Sequence, residues 1–404
     1  MTWYGYIAWA AILSQLLFLY QCYRNYRYAL AKYRKKRGWR QVRVALIVPC
    51  KGLEPKFEQN ITSFFDQDYE DYLLWFVVED ESDPAYSELC ILKERLGSES
   101  KAAQVQVLVA GKGRSCSQKI HNLLYCCRRI PDDVGIVAFA DSDICVRSDW
   151  ISHLIWPLHQ DKTGASTGYR WYVPEKNNLA TLALTVINGK VAQLLGNSRL
   201  NQAWGGSMAI RVETFRQAGI DKIWPRALSD DLSLSWAVKK MGKKVAFVPA
   251  CLVASRESTT WRQLFEFGRR QFLITRVYAP TTWWFGLLSS LYSVGGLYGG
   301  AGLAVYAAVT GASNAGLVVA VPAVFLAGQF IRAVLRQKMA ARLLEEYREQ
   351  MKPAAVADIA ACWIWSLLLF VFIIMSAFGR TITWRGIRYK LVSPTETVVL
   401  GGDR

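Results

Sequence analysis

Charge is missing from three long stretches of this 404-residue chain: residues 1–23, 277–331 and 359–379 contain no Asp, Glu, Lys or Arg. A water-soluble protein rarely strings such stretches together, because each of its helices and strands keeps a solvated side. About 20 apolar residues suffice to cross a bilayer core, so an integral membrane protein is expected. Histidine is scarce, with three residues lacking zinc-ligand spacing, and the nine cysteines form no C-x-x-C pair. Neither a structural zinc site nor a disulfide framework is indicated. No G-x-G-x-x-G turn follows the first apolar strand, and Gly111-Lys-Gly-Arg114 is too short for a Walker loop, so nucleotide binding must use other means. With 52% apolar and 20% charged residues, the chain is neither a disordered tail nor a disulfide-stapled mini-protein. Much of its net charge of +17 sits beside the first apolar segment, where cytoplasmic loops collect Lys and Arg, which argues against a nucleic-acid partner.

Residues 1–23 read as a retained N-terminal anchor rather than a signal peptide, because no positive region precedes them and basic residues follow in place of a cleavage site. The stem over 24–43 carries Arg24, Arg27, Lys32, Arg34, Lys35, Lys36, Arg37, Arg40 and Arg43 and no acid. By the positive-inside rule, the large segment 44–276 faces the cytosol, held against an anionic leaflet by that stem. Residues 277–379 read as C-terminal membrane helices. Two spans over about 283–308 and 315–335 are divided at Gly311-Ala-Ser-Asn-Ala-Gly316, and 359–378 forms either a third span or a re-entrant helix allowed by Ser366 and a break near Lys352-Pro353. Gly295, Gly296, Gly299, Gly300 and Gly302 give small-xxx-small spacings that let helices approach closely. A basic tail, 380–404, remains.

The soluble part alternates strand and helix. Val44 to Val48 is a continuous apolar run suited to a strand buried on both faces. A helix through Phe57, Ile61, Phe64 and Phe65 follows, then strands over Leu73 to Val78, Val105 to Val109 and Ile136 to Ala140, with a helix over about Gln118 to Cys127. Such alternation makes a mostly parallel sheet, whose ligands sit at the carboxyl ends of the strands. Acidic residues stand at those ends.

Asp141 and Asp143 flank Ser142 directly after an apolar strand. Two residues apart in extended backbone, their side chains can share one hard divalent cation, Mn²⁺ or Mg²⁺, or else serve a turn. Asp80 ends the neighbouring strand, suited to a uracil or ribose, or to the turn Glu79-Asp-Glu-Ser-Asp-Pro84. Ser229-Asp230-Asp231 forms a helix N-cap, a role compatible with a general base at the sheet edge. In Phe267-Gly-Arg-Arg-Gln271, Arg269 and Arg270 read either as a diphosphate clamp or as interface anchors.

Taken in order, Asp80, Asp141-Ser-Asp143, Asp231 and a basic helix before a membrane region resemble the D, D, D, (Q/R)xxRW series of inverting nucleotide-sugar glycosyltransferases, the ceramide glucosyltransferases above all. Val78-Glu-Asp-Glu-Ser-Asp-Pro-Ala85 is similar to that family's first acidic block. Gly111-Lys with Gln118-Lys-Ile-His-Asn-Leu123 resembles its lysine segment, Lys119 being the matching position. Trp204-Gly-Gly-Ser-Met208 resembles its acceptor-side loop, and Thr381-Ile-Thr-Trp-Arg-Gly-Ile-Arg-Tyr389 its carboxyl-terminal signature. The (Q/R)xxRW position departs from the pattern, with Phe267 in place of the polar residue and Gln271 in place of Trp.

The resemblance implies a Rossmann-like, A-type α/β glycosyltransferase domain with membrane helices at both ends. It implies a UDP-sugar donor, nucleotide contacts at Asp80 and Lys119, a metal at Asp141 and Asp143, and donor contacts at Arg269, Arg270 and Gln271. Asp231, with Asp230 beside it, would be the catalytic base; Trp204, Gly205 and Gly206 would face the hydroxyl of a membrane lipid such as ceramide. Diacylglycerol, a hopanoid or a polyprenyl phosphate are alternative acceptors. A catalytically silent lipid-binding scaffold is the alternative of another class, against which the presence of all the acids weighs.

Overall fold

Val44, Leu46 and Val48 pack into one apolar cluster and Ala45 and Ile47 into another, all without exposure, because successive side chains of a strand leave on opposite faces. A strand covered on both sides lies at the centre of the computed structural model, which describes residues 3–35, 37, 42–54, 56–113, 116–311, 315–384 and 386–402. Lys36, Arg40, Arg114, Arg385 and residues 312–314, all named above, lie outside the described residues.

Among the described residues seven strands form the main sheet: β1 (Arg43–Pro49), β2 (Tyr72–Val78), β3 (Gln104–Val109), β4 (Val134–Ala140), β5 (Thr163–Pro174), β6 (Ser207–Arg211) and β7 (Lys244–Glu257). Their order is β3-β2-β1-β4-β6-β5-β7. The first four are mutually parallel, β6 runs antiparallel to both neighbours, and β5 and β7 are parallel. The mostly parallel α/β sheet is the expected one, and its first four strands and the helices Phe57–Phe65 and Gln118–Cys127 fall where the pattern put them.

The antiparallel strand matters for the site. Ser207 pairs with Ala140, so the loop entering β6 lies against the loop leaving β4, and Asp141 N donates to the Gly206 carbonyl at 3.3 Å. In β5 the register with β7 shifts between Thr167 and Tyr169. Gly168 fills that step because a Cβ there would overlap the Cys251 carbonyl and the Ser207 hydroxyl.

Among the described residues two helices are long and apolar enough to cross a membrane: Gly5–Tyr33 within the helix Trp3–Tyr33, and Gly316–Leu343. The first continues past the expected anchor through Arg24, Arg27 and Lys32, so the helix and half of the basic stem are one rod. Around the expected 283–308 span, the helix Pro280–Val294 passes through a π-turn at Gly295–Gly299 into Gly300–Thr310. A Cβ on Gly296 would overlap the Phe325 ring, so here the glycine does allow close helix contact. The third apolar segment is a pair, Lys352–Ala360 and Cys362–Ser376, bent by 88°. The break falls at Ala361, not at Pro353, which occupies the first turn of its helix, where a missing N–H costs nothing. Ser366 hydroxyl donates to Gln329 at 2.7 Å and receives Lys190 Nζ at 2.9 Å, tying the bent pair to neighbouring helices.

The tail forms a small antiparallel sheet of β8 (Thr381–Trp384), β9 (Ile387–Ser393) and β10 (Glu396–Gly402) rather than an irregular extension. It packs on the helix Trp261–Tyr278 through Ile382, Tyr389 and Leu391.

Candidate active site

A cavity of about 1070 Å³ opens at the carboxyl ends of β1, β2 and β4. Its polar end holds Lys119, Asp141, Asp143, Asp230 and Asp231. Three separate chain segments bring these groups together: the turn after β4, the first turn of the helix Gln118–Cys127, and the first turn of Asp230–Lys240.

Lys119 is the centre. Its Nζ lies 2.8 Å from Asp141 Oδ1 and 3.1 Å from Asp230 Oδ2. Burial works against the charge on this amine, but Asp141 and Asp230 outweigh it and hold the pKa above the usual lysine value. Burial pushes the Asp230 carboxyl up to about 6 against the pull of Lys119. Ser229 caps the helix by accepting from Leu232 N, as its sequence context requires.

Asp231 is fixed from three sides. Its Oδ2 accepts from Gly205 N at 2.9 Å, and its Oδ1 accepts from Leu232 N at 2.7 Å and from the Ser229 hydroxyl. Capping and orientation of this carboxylate are therefore one structure, and its open side faces the cavity.

The Trp204–Gly206 loop closes over the same acids. A Cβ on Gly205 would overlap Asp230 Oδ2 and stand 2.8 Å from Lys119 Nζ; one on Gly206 would overlap the Trp204 ring and stand 2.7 Å from Asp141 Oδ2. Glycine at both positions lets backbone approach this closely without displacing those side chains. We expect Gly205→Ala to split the Lys119–Asp230 pair and to destabilise the fold by roughly 1–3 kcal/mol, the usual range for overpacking. A thermal melt of the detergent-solubilised chain checks it.

Some expected residues lie elsewhere. Asp80 is exposed at the end of β2, where its Oδ1 accepts from Ser82 N at 2.9 Å in a turn; the cavity wall at this strand end is formed by Glu79. Arg270 and Gln271 line the cavity, but Arg269 does not. Arg269 donates to the carbonyls of Phe378 and Thr381 at 3.2 Å each, and Arg276 to those of Ala377 and Gly379, so both act as anchors for the tail sheet. Adjacent residues of a helix point about 100° apart, and here Arg269 turns to the tail carbonyls while Arg270 turns to the cavity.

Arg170 on β5 is the main residue that motif reading missed. Its Nη2 donates to Asp143 Oδ1 at 2.8 Å and reaches Asp141 Oδ2 at 3.5 Å, while its guanidinium packs against the Trp204 and Tyr172 rings at 5.0 and 5.6 Å. One signal was present: a lone charge inside Tyr169-Arg-Trp-Tyr172, an otherwise apolar strand segment.

Among the described residues no group of three or more His, Cys, Asp or Glu could hold a metal ion. Two carboxylates nonetheless converge, since Asp141 and Asp143 meet at one Arg170 nitrogen. Two hard oxygen donors, with the remaining positions left to water and phosphate oxygens, suit Mg²⁺ or Mn²⁺, so the residues present fit such a cation.

The model of glycosyl transferase family 21 matches residues 7–397. The chain belongs to this family. It is a glycosyltransferase, and the family is that of the ceramide glucosyltransferases. Among solved structures, this family 21 chain is similar to the mannosyltransferase PcManGT from Pyrobaculum calidifontis in complex with GDP-Man and Mn²⁺. That match has 14% identity and a TM-score of 0.47, covering 91% of this chain and 97% of that one. It is also similar to GalNAc-T7 with UDP, GalNAc and Mn²⁺, at 10% identity and a TM-score of 0.38, covering 58% of this chain and 51% of that one.

Proposed function

We propose that this family 21 enzyme transfers a hexose, glucose by preference, from a UDP-sugar to the hydroxyl of a membrane lipid such as ceramide, with inversion. One observation carries the reading. The cavity that holds the four acids and Lys119 is also lined by Phe18 and Cys22 of the N-terminal membrane helix and by Trp283, Phe285 and Phe372 of the C-terminal ones. A polar donor end and an apolar end built from membrane helices share one space, as transfer from a water-soluble nucleotide to a lipid requires. The basic residues from Arg24 onward support a cytosolic position for the catalytic domain.

Asp231 takes the proton from the acceptor hydroxyl. The oxygen attacks the anomeric carbon, the bond from that carbon to the diphosphate breaks, and its electron pair leaves with UDP; attack opposite the leaving group inverts the centre. Lys119 and Arg270 stand ready to meet the charge that develops on the diphosphate. A divalent cation at Asp141 and Asp143 would neutralise part of that charge. Trp204 and Gly205 line the cavity beside the acids, and with Gly206 they would face the acceptor.

The test is to incubate membranes containing the protein with a panel of labelled UDP-sugars, with and without chelator, and to identify the labelled lipid. Label from UDP-glucose on a sphingolipid, lost with chelator, is the expected result. Label on diacylglycerol, a hopanoid or a polyprenyl phosphate overturns the acceptor, and no labelled lipid from any donor overturns the reaction.

A further inference from the structure

The reaction above assigns no part to Arg170, yet this residue closes on both carboxylates of the turn after β4. Its Nη2 lies 2.8 Å from Oδ1 and 3.0 Å from Oδ2 of Asp143, and 3.5 Å from Oδ2 of Asp141. The remaining oxygen, Asp141 Oδ1, is 2.8 Å from Lys119 Nζ. All four oxygens that a hard cation would use therefore face a protein cation. A divalent ion and a guanidinium cannot share that space without strong repulsion, which partial burial leaves poorly screened.

Arg170 is also incompletely satisfied. Its Nε is buried without a hydrogen-bond partner, and its ion pairs with both carboxylates run through a single nitrogen, Nη2. Guanidinium groups favour two-pronged pairing, with carboxylate or equally with phosphate. The Trp204 and Tyr172 rings hold it by its apolar surround on the wall of the same cavity that holds Asp230, Asp231 and Lys119.

We infer that Arg170 is a built-in counter-cation of the Asp141-Ser142-Asp143 turn, which a divalent metal must displace and which the diphosphate of the donor then accepts. The inference rests on the donor and metal of the proposed function. It adds a consequence: metal and nucleotide bind as a coupled pair. Metal alone has to expel Arg170 into a site without an acceptor, whereas metal with diphosphate gives the guanidinium a new partner. Coupling of this kind is reciprocal, so Mn²⁺ must raise UDP affinity by the same factor as UDP raises Mn²⁺ affinity.

The experiment is Mn²⁺ binding to the detergent-solubilised full chain, by calorimetry and Mn²⁺ electron paramagnetic resonance, with and without UDP, for wild type, Arg170→Gln and Arg170→Lys. Wild type should bind Mn²⁺ at least tenfold more weakly without UDP than with it. Arg170→Gln should bind Mn²⁺ alone at least tenfold more tightly than wild type and lose a corresponding part of the UDP dependence, the part carried by phosphate oxygens on the metal remaining, while Arg170→Lys, which keeps the charge, stays near wild type. If Arg170→Gln gains no Mn²⁺ affinity while wild type still responds to UDP, the inference fails and the proposed function stands. If wild-type Mn²⁺ affinity is the same with and without UDP, the inference fails whether or not the variants fold. If Mn²⁺ binds no form under either condition, the metal assignment of the proposed function fails and takes the inference with it.

Discussion

Asp231→Asn should lower turnover by about 10²–10⁴-fold, the usual worth of a positioned base, while UDP affinity stays within a few-fold of wild type. The amide keeps the shape of the side chain but cannot take a proton at neutral pH. The diphosphate contacts proposed above, Lys119 and Arg270, are other residues, so donor binding should survive. The amide also carries a cost that must be separated from catalysis. Asp231 accepts at both oxygens, from Leu232 N and the Ser229 hydroxyl on one side and Gly205 N on the other. An Asn can accept at one oxygen only, leaving an N–H opposite an N–H, at about 1–3 kcal/mol. Titration of UDP together with a thermal melt distinguishes the outcomes: normal UDP binding with lost turnover identifies the base, and retained turnover rules Asp231 out. Asp230→Asn probes a different function. That carboxyl is buried and paired with Lys119 at 3.1 Å, so its loss should weaken donor binding by freeing Lys119 rather than spare it.

Much of the catalytic half was legible because its signals are local. A continuous apolar run such as Val44–Val48 marks a doubly covered strand, and an acid placed directly after such a strand lands at the edge where α/β sheets bind ligands. Asp141 and Asp143 were singled out by that rule, Asp231 by its helix N-cap and the resemblance, and Lys119 by the resemblance alone. What was not legible depends on pairing between distant segments. Nothing in Tyr169-Arg-Trp-Tyr172 says that its strand joins β7 with a register shift at Gly168, and Arg170 reaches Asp143 beyond that step. The tail read as basic because Arg380, Arg388 and Lys390 dominate its composition, yet Ile382, Tyr389 and Leu391 alternate with them and are buried against the helix Trp261–Tyr278. Of Arg269 and Arg270 only the second matched the (Q/R)xxRW position, and the contacts separate them the same way: Arg270 lines the cavity and Arg269 holds the tail.

Asp358→Leu should be the most destabilising single change outside the site. Asp358 has 0% exposure and Arg336 has 2%, and they lie between the helix Ala315–Leu343 and the bent pair that begins at Lys352. Asp358 accepts from Arg336 Nε at 2.8 Å, from Arg336 Nη2 at 2.5 Å and from Gln337 Nε2 at 2.6 Å, while Arg336 Nη1 donates to Gln193 at 2.7 Å. These bonds join two C-terminal helices to the helix Leu179–Ala192, whose Leu184 and Ile187 line the cavity. Removing the carboxylate leaves a buried guanidinium without its counter-ion, which costs about 3–5 kcal/mol, or roughly 4–6 °C in melting temperature for a chain of this length. The pair is not worth that much in itself, because both charges already carry a desolvation penalty in this setting. Arg336→Met combined with Asp358→Leu should therefore recover most of the loss, since two apolar side chains of similar size remove the penalty together with the attraction. Melting curves of wild type, both single variants and the double variant in detergent decide it. If the double variant melts as low as Asp358→Leu, the pair holds the three helices by geometry that apolar packing cannot replace. If Asp358→Leu alone melts like wild type, water reaches Arg336 and the site is not dry.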